Sequence, residues 1–358
     1  MKFLLIKLNH LGDTLLLTPT LRFLAQRFPG AVVDVLVRGG CEVMLQGHPV
    51  IRHLVGLGRP KGDRRSWRTA WAENWVAWSA LGAERYDYVF ALSVSDRACL
   101  WSLLSAARHR VINNAYGEWG WRRRFFNQNS NYLWAPQHQV LKDFRTVADC
   151  FDAQAQPGPL EFFHHISPAE LEQRFPDFPK GSPVAIIHPT SRWRFKQWLP
   201  ERWAAVAEAL QQRYGFRVVF TAGPAAIEAE DVQKILSHLR QPVVNLAGRT
   251  TISQMGALLE RAQLFLGVDT VAMHLAAAMQ TPTVALFGPS SENSWHPWQC
   301  PHELVLGDCP CKATRKFVCD SSRIYPCMER ITVEAVLGAV ERLTQSPEFT
   351  SRIQRAER

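Results

Sequence analysis

Short apolar strand patterns alternate with helical patterns twice along this chain, and this alternation limits the possible folds more than any other feature. In the first series, strand patterns cover 2–7, 31–37, 85–92 and 110–112. A helical pattern covers 14–27 and ends at Pro29-Gly30, and another runs through Cys99 and Leu103. Strands that alternate with helices predict a parallel sheet covered by helices on both faces.

A second series of the same kind begins at residue 184. Its strand patterns cover 184–187, 216–221, 243–245, 263–266 and 283–287, and its helical patterns cover 200–214, 225–239, 252–261 and 270–279. The segment from about 154 to 183 contains six prolines and predicts a linker around one short helix. We therefore predict two Rossmann-like domains, 1–160 and 184–335, joined by a Pro-rich linker, 161–183, and followed by a C-terminal helix or tail, 336–358.

Length and composition agree with two globular domains. The 358 residues exceed the usual size of one domain, and 47% hydrophobic with 20% charged residues excludes a disordered or fibrous chain. The start MKFLLIKLNH reaches Lys7 and Asp13 without a small-residue cleavage site, so it predicts a strand and no secretory signal. No stretch approaches 18 consecutive apolar residues, and we expect a cytosolic protein without a spanning helix.

The formal net charge of +9 favours acidic partners such as nucleic acid, an anionic membrane or a phosphorylated substrate. Basic runs lie at Arg59-Pro-Lys61-Gly-Asp-Arg64-Arg65 and at Arg122-Arg123-Arg124. Four tryptophans fall at helical spacing between them: Trp67, Trp71, Trp75 and Trp78. Such a stripe is typical of a packed core and also fits a membrane-interface face, and the sequence leaves both open.

Four of the eight cysteines cluster in a C-x-C-x7-C-x7-C pattern: Cys309, Cys311, Cys319 and Cys327. The pattern lacks the paired C-x2-C spacing of strong zinc motifs. We therefore expect reduced thiols in preference to a metal site.

The strongest candidate site is the segment LFLGVDTVAMHLAAA, in which a strand leads into a helix that begins near Asp269 and Thr270. Asp or Thr at this point is an ordinary N-cap. A helix N-terminus also offers free N–H donors and a partial positive charge, which suit a pyrophosphate. His274 lies one turn inside the helix, where a satisfied core residue and a ligand contact are both possible.

A second candidate is the segment HPTSRWRFKQW after the first strand of the second series. Thr190 and Ser191 supply hydroxyls, while Arg192, Arg194 and Lys196 supply cations, and together they suit a phosphate clamp. The alternative is a solvated basic loop. The interleaved aromatic residues Trp193, Phe195 and Trp198 favour a packed loop.

Two weaker signals follow the next strands. Gly223-Pro224 precedes Glu228 and Glu230, either of which could accept hydrogen bonds from a ribose, and Gly248 ends the following strand segment. Because all these signals follow successive strands of one domain, they predict a nucleotide pocket. No G-x-G-x-x-G segment follows a strand, which argues against a nicotinamide dehydrogenase.

In the first domain, Gly12-Asp13 opens the first helix. Asp13 is most simply a helix cap, and in an enzyme it could accept a proton from an attacking hydroxyl. No D-x-D metal-binding pattern occurs in the chain. A departing diphosphate would then need cations and helix dipoles for its stabilisation, without a metal.

Taken together, these segments resemble the lipopolysaccharide heptosyltransferases, glycosyltransferases that use ADP-heptose. The resemblance rests on Lys7-x5-Asp13, HPTSRWRFKQW, TAGP with acidic residues, the run from NLAGRTT to HLAAA, and TPTVALFGPSSENSWHPW. It covers nearly the whole chain and is densest over 184–298. Within the family, the sequence is most like the heptosyltransferase III branch, which adds a side-branch heptose to the inner core.

The resemblance implies a GT-B fold with two Rossmann-like domains facing across a cleft, the first for the acceptor and the second for the nucleotide-sugar donor. It implies inversion at the anomeric carbon, with Asp13 as general base and Lys7 and Gly12 near the acceptor. The implied donor-binding residues are Thr190, Ser191, Arg192, Lys196, Gly223, Glu228, Gly248, Asp269, Thr270, Val271 and His274. Val271 stands where many relatives have Gly, and Glu228 and Glu230 remain alternatives for the ribose.

The implied partners are an ADP-sugar and an anionic inner-core acceptor on a lipid anchor, with no cofactor and no metal. The resemblance further implies a monomer in the cytoplasm of a Gram-negative bacterium, in peripheral contact with the inner membrane. Three alternatives remain open. They are heptosyltransferase I, II or another nucleotide-hexose transferase; a non-catalytic sugar-nucleotide-binding protein; and a nucleic-acid-binding protein, for which the chain lacks a recognised motif.

Overall fold

The computed structural model describes residues 1–58, 67–82, 84–112, 120–130, 137–309 and 326–356. The chain divides into two compact units, Met1–Phe163 (unit 1) and His164–Arg358 (unit 2). The described strands are β1 Lys2–Lys7, β2 Val32–Arg38, β3 Ile51–Leu57, β4 Tyr88–Ala91, β5 His109–Ile112, β6 Gln128–Asn129, β7 Val184–His188, β8 Arg217–Phe220, β9 Val244–Asn245, β10 Leu264–Val268, β11 Thr283–Phe287 and β12 His302–Leu306.

The described helices of unit 1 are α1 Leu11–Leu15, α2 Thr18–Arg27, α3 Trp67–Leu81, α4 Asp96–Leu104 and α5 Gln139–Ala148. Those of unit 2 are α6 Pro168–Arg174, α7 Pro200–Tyr214, α8 Ala226–Leu236, α9 Ile252–Arg261, α10 Val271–Ala278, α11 Glu292–Trp295, α12 Pro326–Glu329, α13 Val333–Thr344 and α14 Pro347–Ala356. Short 3-10 segments lie at Glu42–Met44, Gly120–Phe125 and Arg194–Lys196.

Each unit contains one six-stranded parallel sheet, and the two sheets have the same strand order. In unit 1 the order is β3-β2-β1-β4-β5-β6, and in unit 2 it is β9-β8-β7-β10-β11-β12. In sheets of this order ligands bind beyond the carboxyl ends of the strands, where the order reverses. The reversal lies between β1 and β4 in unit 1 and between β7 and β10 in unit 2, so the fold directs attention to the loops after these four strands. The predicted α/β class is confirmed.

The sheet of unit 1 is apolar on both faces because helices cover both. Alternate residues of β1 point to opposite faces: Phe3 and Leu5 join a core cluster with α2 and α5, while Leu4 and Ile6 join a second cluster with α3 and α4. Burial on both faces explains why β1 reads as a continuous apolar run.

The core of unit 2 draws on segments that the sequence analysis placed outside the second domain. Leu171 of α6, within the predicted linker, is buried, and so are Val336 and Val340 of α13. The compact unit therefore starts at His164 and includes the C-terminal helices. The Pro-rich segment contributes buried apolar side chains to unit 2, in addition to linking the two units along the chain.

The helix predicted over 14–27 is in fact two helices, α1 and α2. Pro19 has no N–H to donate to the carbonyl of Leu15 four residues earlier, so the helical ladder is interrupted there. The hydroxyl of Thr18 donates to that carbonyl instead, at 3.0 Å. Three strands, β3, β6 and β12, were not predicted. Polar residues interrupt the short apolar patterns of β3 and β12, and β6 has only two residues, both polar.

The tryptophan stripe does not form a core throughout. Within α3, Ala77 and Leu81 are buried, whereas Trp75 and Trp78 are exposed. The side chains of Trp67 and Trp71 and the basic run at 59–65 lie outside the described residues. Among the helices that the structure describes, none combines the length and apolar character needed to cross a membrane.

Candidate functional site

The loop after β1 carries Asp13 on the single-turn helix α1, which also contains Gly12. Oδ2 of Asp13 accepts a hydrogen bond from the backbone N–H of His10 at 3.2 Å. The N-cap of α1 is His10, so Asp13 is not the residue that begins the helix but the N3 partner of a capping box. Within the described residues, the other carboxylate oxygen, Oδ1, has no hydrogen-bond partner, and the side chain is 8% exposed. One oxygen thus orients the carboxylate while the other is available for a substrate.

Lys7, at the end of β1, forms an ion pair with Asp143 of α5. The Lys7 Nζ lies 2.6 Å from Asp143 Oδ2, and neither side chain is exposed. Gln139 Nε2 donates to the other oxygen of Asp143 at 3.0 Å. Burial raises the pKa of Asp143 to about 6 against the opposing effect of Lys7, and the charge of Asp13 raises it further.

This pair bears directly on the predicted role of Lys7. Contact between Lys7 and acceptor anions stays a prediction. In the described structure the ammonium of Lys7 pairs instead with Asp143 inside the unit. Asp143 and Gln139 were not singled out from the sequence. No pattern marks them, since they lie on an amphipathic helix 136 residues beyond Lys7.

The loop between β1 and α1 is fixed by side chains from the neighbouring strand ends. Ser93, just after β4, accepts a hydrogen bond from the backbone N–H of Leu8 at 3.0 Å. Arg38, at the end of β2, donates to His10 Nδ1 at 3.2 Å. Asp13 is therefore held by a loop whose position is set from both sides, which is the preorganisation that a catalytic group needs.

In unit 2 a second Lys–Asp pair lies at the equivalent edge of the sheet. Lys196 Nζ is 2.6 Å from Asp269 Oδ2, with the side chains 22% and 8% exposed. Asp269 follows β10, and Lys196 comes from the loop after β7, so the pair joins the two strands at which the order reverses. Unlike the pair in unit 1, this one is only part-buried, because the Lys196 side chain keeps contact with solvent.

Thr270 is the N-cap of α10, directly after Asp269. Its Oγ1 is buried and has no hydrogen-bond partner among the described residues. A buried hydroxyl left unpaired costs roughly 1–3 kcal/mol. With the N–H groups of a helix start beside a lysine, this hydroxyl indicates a site for an anion.

Thr190, Gly223 and Glu228 meet at the next strand ends. Oε2 of Glu228 accepts hydrogen bonds from Thr190 Oγ1 at 2.8 Å and from the backbone N–H of Gly223 at 3.2 Å. A Cβ on Gly223 would lie 2.6 Å from the Glu228 carboxylate, so a larger residue there would displace the end of that side chain. Glu230 is exposed on the same helix. Of the two acids that the sequence left open, the geometry places Glu228 in the candidate pocket.

Gly248 lies beside this group. Its φ of +70° is in the left-handed region that favours glycine, and a Cβ there would lie 3.9 Å from the carbonyl oxygen of Gly223. The glycines that follow β8 and β9 are thus neighbours, as the succession of strand-end signals predicted.

His188 and Thr221 form a buried hydrogen bond that sequence reasoning missed. His188 Nδ1 and Thr221 Oγ1 are 3.0 Å apart at the ends of β7 and β8. Burial lowers the pKa of His188 to about 4, so the ring is neutral at physiological pH. The pair fixes the start of the loop that carries Thr190, a role that a lone histidine in an apolar strand does not reveal.

The loop between β7 and α7 is packed only in part. Trp198 is buried, and its Nε1 donates to the carbonyl of Ile331 at 3.0 Å, whereas Trp193 is 48% exposed under the guanidinium of Arg192. Ser191 Oγ accepts from the backbone N–H of Trp193 at 3.2 Å. The expectation of a packed loop is therefore wrong for Trp193, because the cation covers the ring in place of the core.

The first turn of α10 carries the two remaining predicted donor residues. Val271 is its first residue and is half-buried, while His274 is buried with its ring 6.3 Å from that of Trp295. Both lie within one turn of Thr270. The helix start that the sequence predicted as a diphosphate site therefore keeps its predicted residues together.

Of the clustered cysteines, Cys309 and Cys327 are buried in the core of unit 2, and Cys311 and Cys319 lie outside the described residues. Burial raises the pKa of Cys327 to about 12. No group of three or more His, Cys, Asp or Glu side chains suited to a metal ion occurs in the described part of the chain.

Solved structures have the same architecture as this chain. The chain is similar to a glycosyl transferase family 9 structure from Veillonella parvula (TM-score 0.78, 19% identity, 96% of each chain covered). It is also similar to the Escherichia coli ADP-heptose lipopolysaccharide heptosyltransferase II (TM-score 0.73, 22% identity, covering 96% of this chain and 98% of that one). The fold is thus the GT-B fold of glycosyltransferases, as predicted.

The sequence comparisons give the family. Residues 75–324 match the model of glycosyltransferase family 9 (heptosyltransferase). Lipopolysaccharide heptosyltransferase 3 of Escherichia coli K12 is 30% identical over 299 residues, which cover 81% of this chain and 83% of the relative. The chain belongs to glycosyltransferase family 9 and is a heptosyltransferase, which confirms the resemblance stated from the sequence.

Proposed function

We propose that this protein transfers a heptose from ADP-L-glycero-D-manno-heptose to the inner core of lipopolysaccharide, in the manner of the heptosyltransferase III branch. The similarity to a heptosyltransferase 3 supports the branch. The similar heptosyltransferase II is an ADP-heptose enzyme, which supports ADP-heptose as the donor. The proposal includes inversion at the anomeric carbon and chemistry that uses neither a metal nor a cofactor.

The observation that carries the proposal is the part-buried Lys196–Asp269 pair beside the unpaired hydroxyl of Thr270 at the start of α10. A diphosphate bound there accepts hydrogen bonds from the hydroxyl and the helix N–H groups, and Lys196 offsets its charge. These contacts strengthen as negative charge develops on the leaving group, which lowers the barrier to its departure. Glu228, beside Gly223 and Gly248, accepts hydrogen bonds from the ribose hydroxyls.

Asp13 is the general base in this proposal. The acceptor oxygen forms a bond to the anomeric carbon while the bond from that carbon to the β-phosphate oxygen breaks, and ADP leaves with the electron pair. The proton of the acceptor hydroxyl passes to the carboxylate of Asp13, whose Oδ1 is available for it. A single displacement of this kind inverts the anomeric centre and requires no covalent intermediate.

The acceptor in this proposal is an anionic oligosaccharide on a lipid anchor, and the protein acts as a monomer in the cytoplasm at the surface of the inner membrane. The excess of basic residues lies mainly in unit 1, where 20 lysines and arginines face 13 aspartates and glutamates. In unit 2 the numbers are 21 and 19. The larger positive excess of unit 1 supports assigning the anionic acceptor to that unit.

Replacement of Asp13 tests the proposal. We expect Asp13→Ala to reduce transfer by about 10²–10⁴-fold, the usual contribution of a general base, and to leave the Kd for ADP unchanged. Asp13→Asn is the matched control for folding, because its amide oxygen can still accept from His10. Full activity in Asp13→Asn would show that the base is another group.

A donor screen tests the alternative donors. Isothermal titration with ADP-heptose, other ADP-sugars, UDP-sugars and GDP-sugars should give the lowest Kd for ADP-heptose. Turnover with a core oligosaccharide that ends before the side-branch heptose distinguishes branch III from branches I and II. Tight donor binding without turnover on any core acceptor would favour a non-catalytic binding protein.

A further inference from the structure

The outer surface of unit 1 carries an apolar face on α3, α4 and the 3-10 segment Gly120–Phe125, which we call the α3–α4 face. Seven of the eleven large hydrophobic side chains that are exposed in the described residues lie on it: Trp75, Val76, Trp78, Leu100, Leu103, Leu104 and Trp121. Single exposed apolar residues are ordinary, whereas a contiguous group of this size marks an interaction surface.

Helix α4 shows the pattern most clearly. Leu100, Leu103 and Leu104 are 52%, 47% and 36% exposed and have the i, i+3, i+4 spacing of one helix side. The opposite side packs on the sheet through Ala98 and Trp101. Helix α4 is therefore apolar on both its inner and its outer side, and folding of the described chain uses only the inner one.

The three elements form one continuous face. Trp78 of α3 contacts Trp101 of α4, with ring centroids 6.5 Å apart. Arg122 of the 3-10 segment pairs with Asp96 at the start of α4 at 2.7 Å, which fixes Trp121 beside α4. All three elements cover the same side of the sheet, so their exposed side chains point away from it together.

Positive charge borders this apolar face. Arg123 and Arg124 are exposed and form no ion pair within the described residues. The excess of seven positive charges in unit 1, given above, has the same sign. A surface of exposed tryptophan and leucine with adjacent arginines matches a bilayer, whose acyl region takes the apolar side chains and whose anionic head groups attract the cations.

We propose that the α3–α4 face docks unit 1 onto an anionic phospholipid bilayer. This inference deepens the proposed function, since a lipid-anchored acceptor gives the surface its use, but membrane binding can be measured without donor or acceptor. The contact is peripheral. The leucine and tryptophan side chains enter the interface, and Arg123 and Arg124 lie at the level of the head groups.

Vesicle co-sedimentation of the full chain tests the proposal. Vesicles of phosphatidylethanolamine and phosphatidylglycerol should bind the protein, and neutral phosphatidylcholine vesicles should bind it at least about tenfold less tightly, given roughly 1 kcal/mol per basic residue at an anionic surface. The charge variant Arg123→Glu/Arg124→Glu should weaken binding to anionic vesicles by about tenfold or more on the same scale. Its matched control is Arg213→Glu/Arg240→Glu, two exposed arginines of unit 2, which should bind as the unmodified protein does.

The apolar variant Trp75→Gln/Leu103→Gln should reduce binding to anionic vesicles, and most strongly at high salt, where screening removes the electrostatic part. Leu306→Gln, an exposed leucine of unit 2, is its matched control. Transfer to a water-soluble, delipidated core acceptor should remain unchanged in the apolar variant. Retention of transfer alongside lost vesicle binding therefore separates this inference from the catalytic proposal.

Two outcomes would overturn the inference. Equal binding of the apolar variant and the unmodified protein to anionic vesicles would remove the face from the contact. Sedimentation velocity that shows a dimer without lipid, converted to a monomer by Trp75→Gln/Leu103→Gln, would assign the face to a second copy of the chain.

Discussion

Two Lys–Asp pairs with the same separation of 2.6 Å lie at the carboxyl edges of the two sheets, and they differ in exposure. Lys7–Asp143 in unit 1 is fully buried, whereas in Lys196–Asp269 of unit 2 the lysine is 22% exposed and the aspartate 8%. A fully buried pair must satisfy its charges internally, since no ligand can replace either partner without the structure opening. A part-buried pair holds its lysine in place while the ammonium stays within reach of an incoming anion. The same chemical pair thus serves as a support in one unit and as a candidate binding group in the other.

The energetics follow the same division. Removal of one partner of a fully buried pair leaves an uncompensated charge inside the protein, and solvent contact reduces this cost. Lys7 ends β1 and Lys196 follows β7, and both strands border the point at which the sheet order reverses, so neighbouring sequence alone does not distinguish the two lysines. Their different surroundings come from α5, which covers Lys7, and from the loop after β7, which leaves Lys196 in partial contact with solvent.

The largest expected effect is on the buried pair. Asp143→Asn removes the buried carboxylate that pairs with the ammonium of Lys7, so the free energy of unfolding should fall by about 3–5 kcal/mol. Urea denaturation at about pH 8, above the Asp143 pKa of about 6, measures it. The double variant Lys7→Met/Asp143→Leu should recover most of this loss, because an apolar pair of similar volume has no charge to compensate. Full stability of Asp143→Asn would mean that water reaches the pair.

On the part-buried pair the effect should fall on ligand binding. Lys196→Met should weaken the affinity for ADP by about 10–100-fold, because charged hydrogen bonds contribute roughly 1.5–3 kcal/mol, and should reduce stability by less than Asp143→Asn does. Calorimetric titration with ADP measures the Kd. Lys234→Met, which breaks the exposed pair Lys234–Asp231 at 2.7 Å, is the control and should bind ADP normally. A large loss of stability in Lys196→Met would erase the distinction between the two pairs.

A smaller effect concerns acid stability in unit 2. The pKa of His188 is lowered from 6.5 to about 4, so the unfolded chain takes up a proton that the folded protein refuses as the pH falls through this range. Stability from this group is complete above about pH 6.5 and is lost as the pH falls towards 4, by about 2 kcal/mol at pH 5. Denaturation curves recorded above about pH 6.5 and at about pH 5 should show that His188→Gln removes this part of the pH dependence. The exposed His238→Gln should retain it.

The smallest effect should separate the two acids of α8. Glu228→Gln should weaken ADP binding by about 1 kcal/mol, the usual net worth of a hydrogen bond, while Glu230→Gln should leave the Kd unchanged. Thermal denaturation of both variants checks that the Thr190 and Gly223 contacts persist. Equal loss in both variants, or a loss confined to Glu230→Gln, would place the ribose elsewhere.

The sequence predicted much of the fold because burial on both faces of a sheet leaves a direct mark. Strand β11 and helices α7 and α9 have the predicted bounds, and their apolar runs or helical periods are uninterrupted. The edge strand β12 was missed because one of its faces is less buried, so its pattern HELVL is mixed. The break near Pro19 was overlooked because leucines continue the apolar pattern on both sides of the segment Thr18-Pro19-Thr20.

For the site, the sequence was informative where residues follow strands in order along the chain. Thr190, Glu228 and Asp269 could be grouped because parallel strands end at one edge. Their exact partners depend on side-chain direction, so the contacts of Glu228 with Thr190 and Gly223 could be seen only in the coordinates, and its role at the ribose stays a prediction. Asp143 could not be found at all, because its link to Lys7 spans 136 residues and joins a helix to a strand.

The proline break after α1 also bears on how such a chain can diverge. Asp13 lies on a five-residue helix that ends before Pro19, and the core packing of this region belongs to α2. Substitutions that shift α2 on the sheet therefore need not displace the carboxylate. A lineage can thus replace core residues of α2 gradually while the position of the Asp13 carboxylate stays the same.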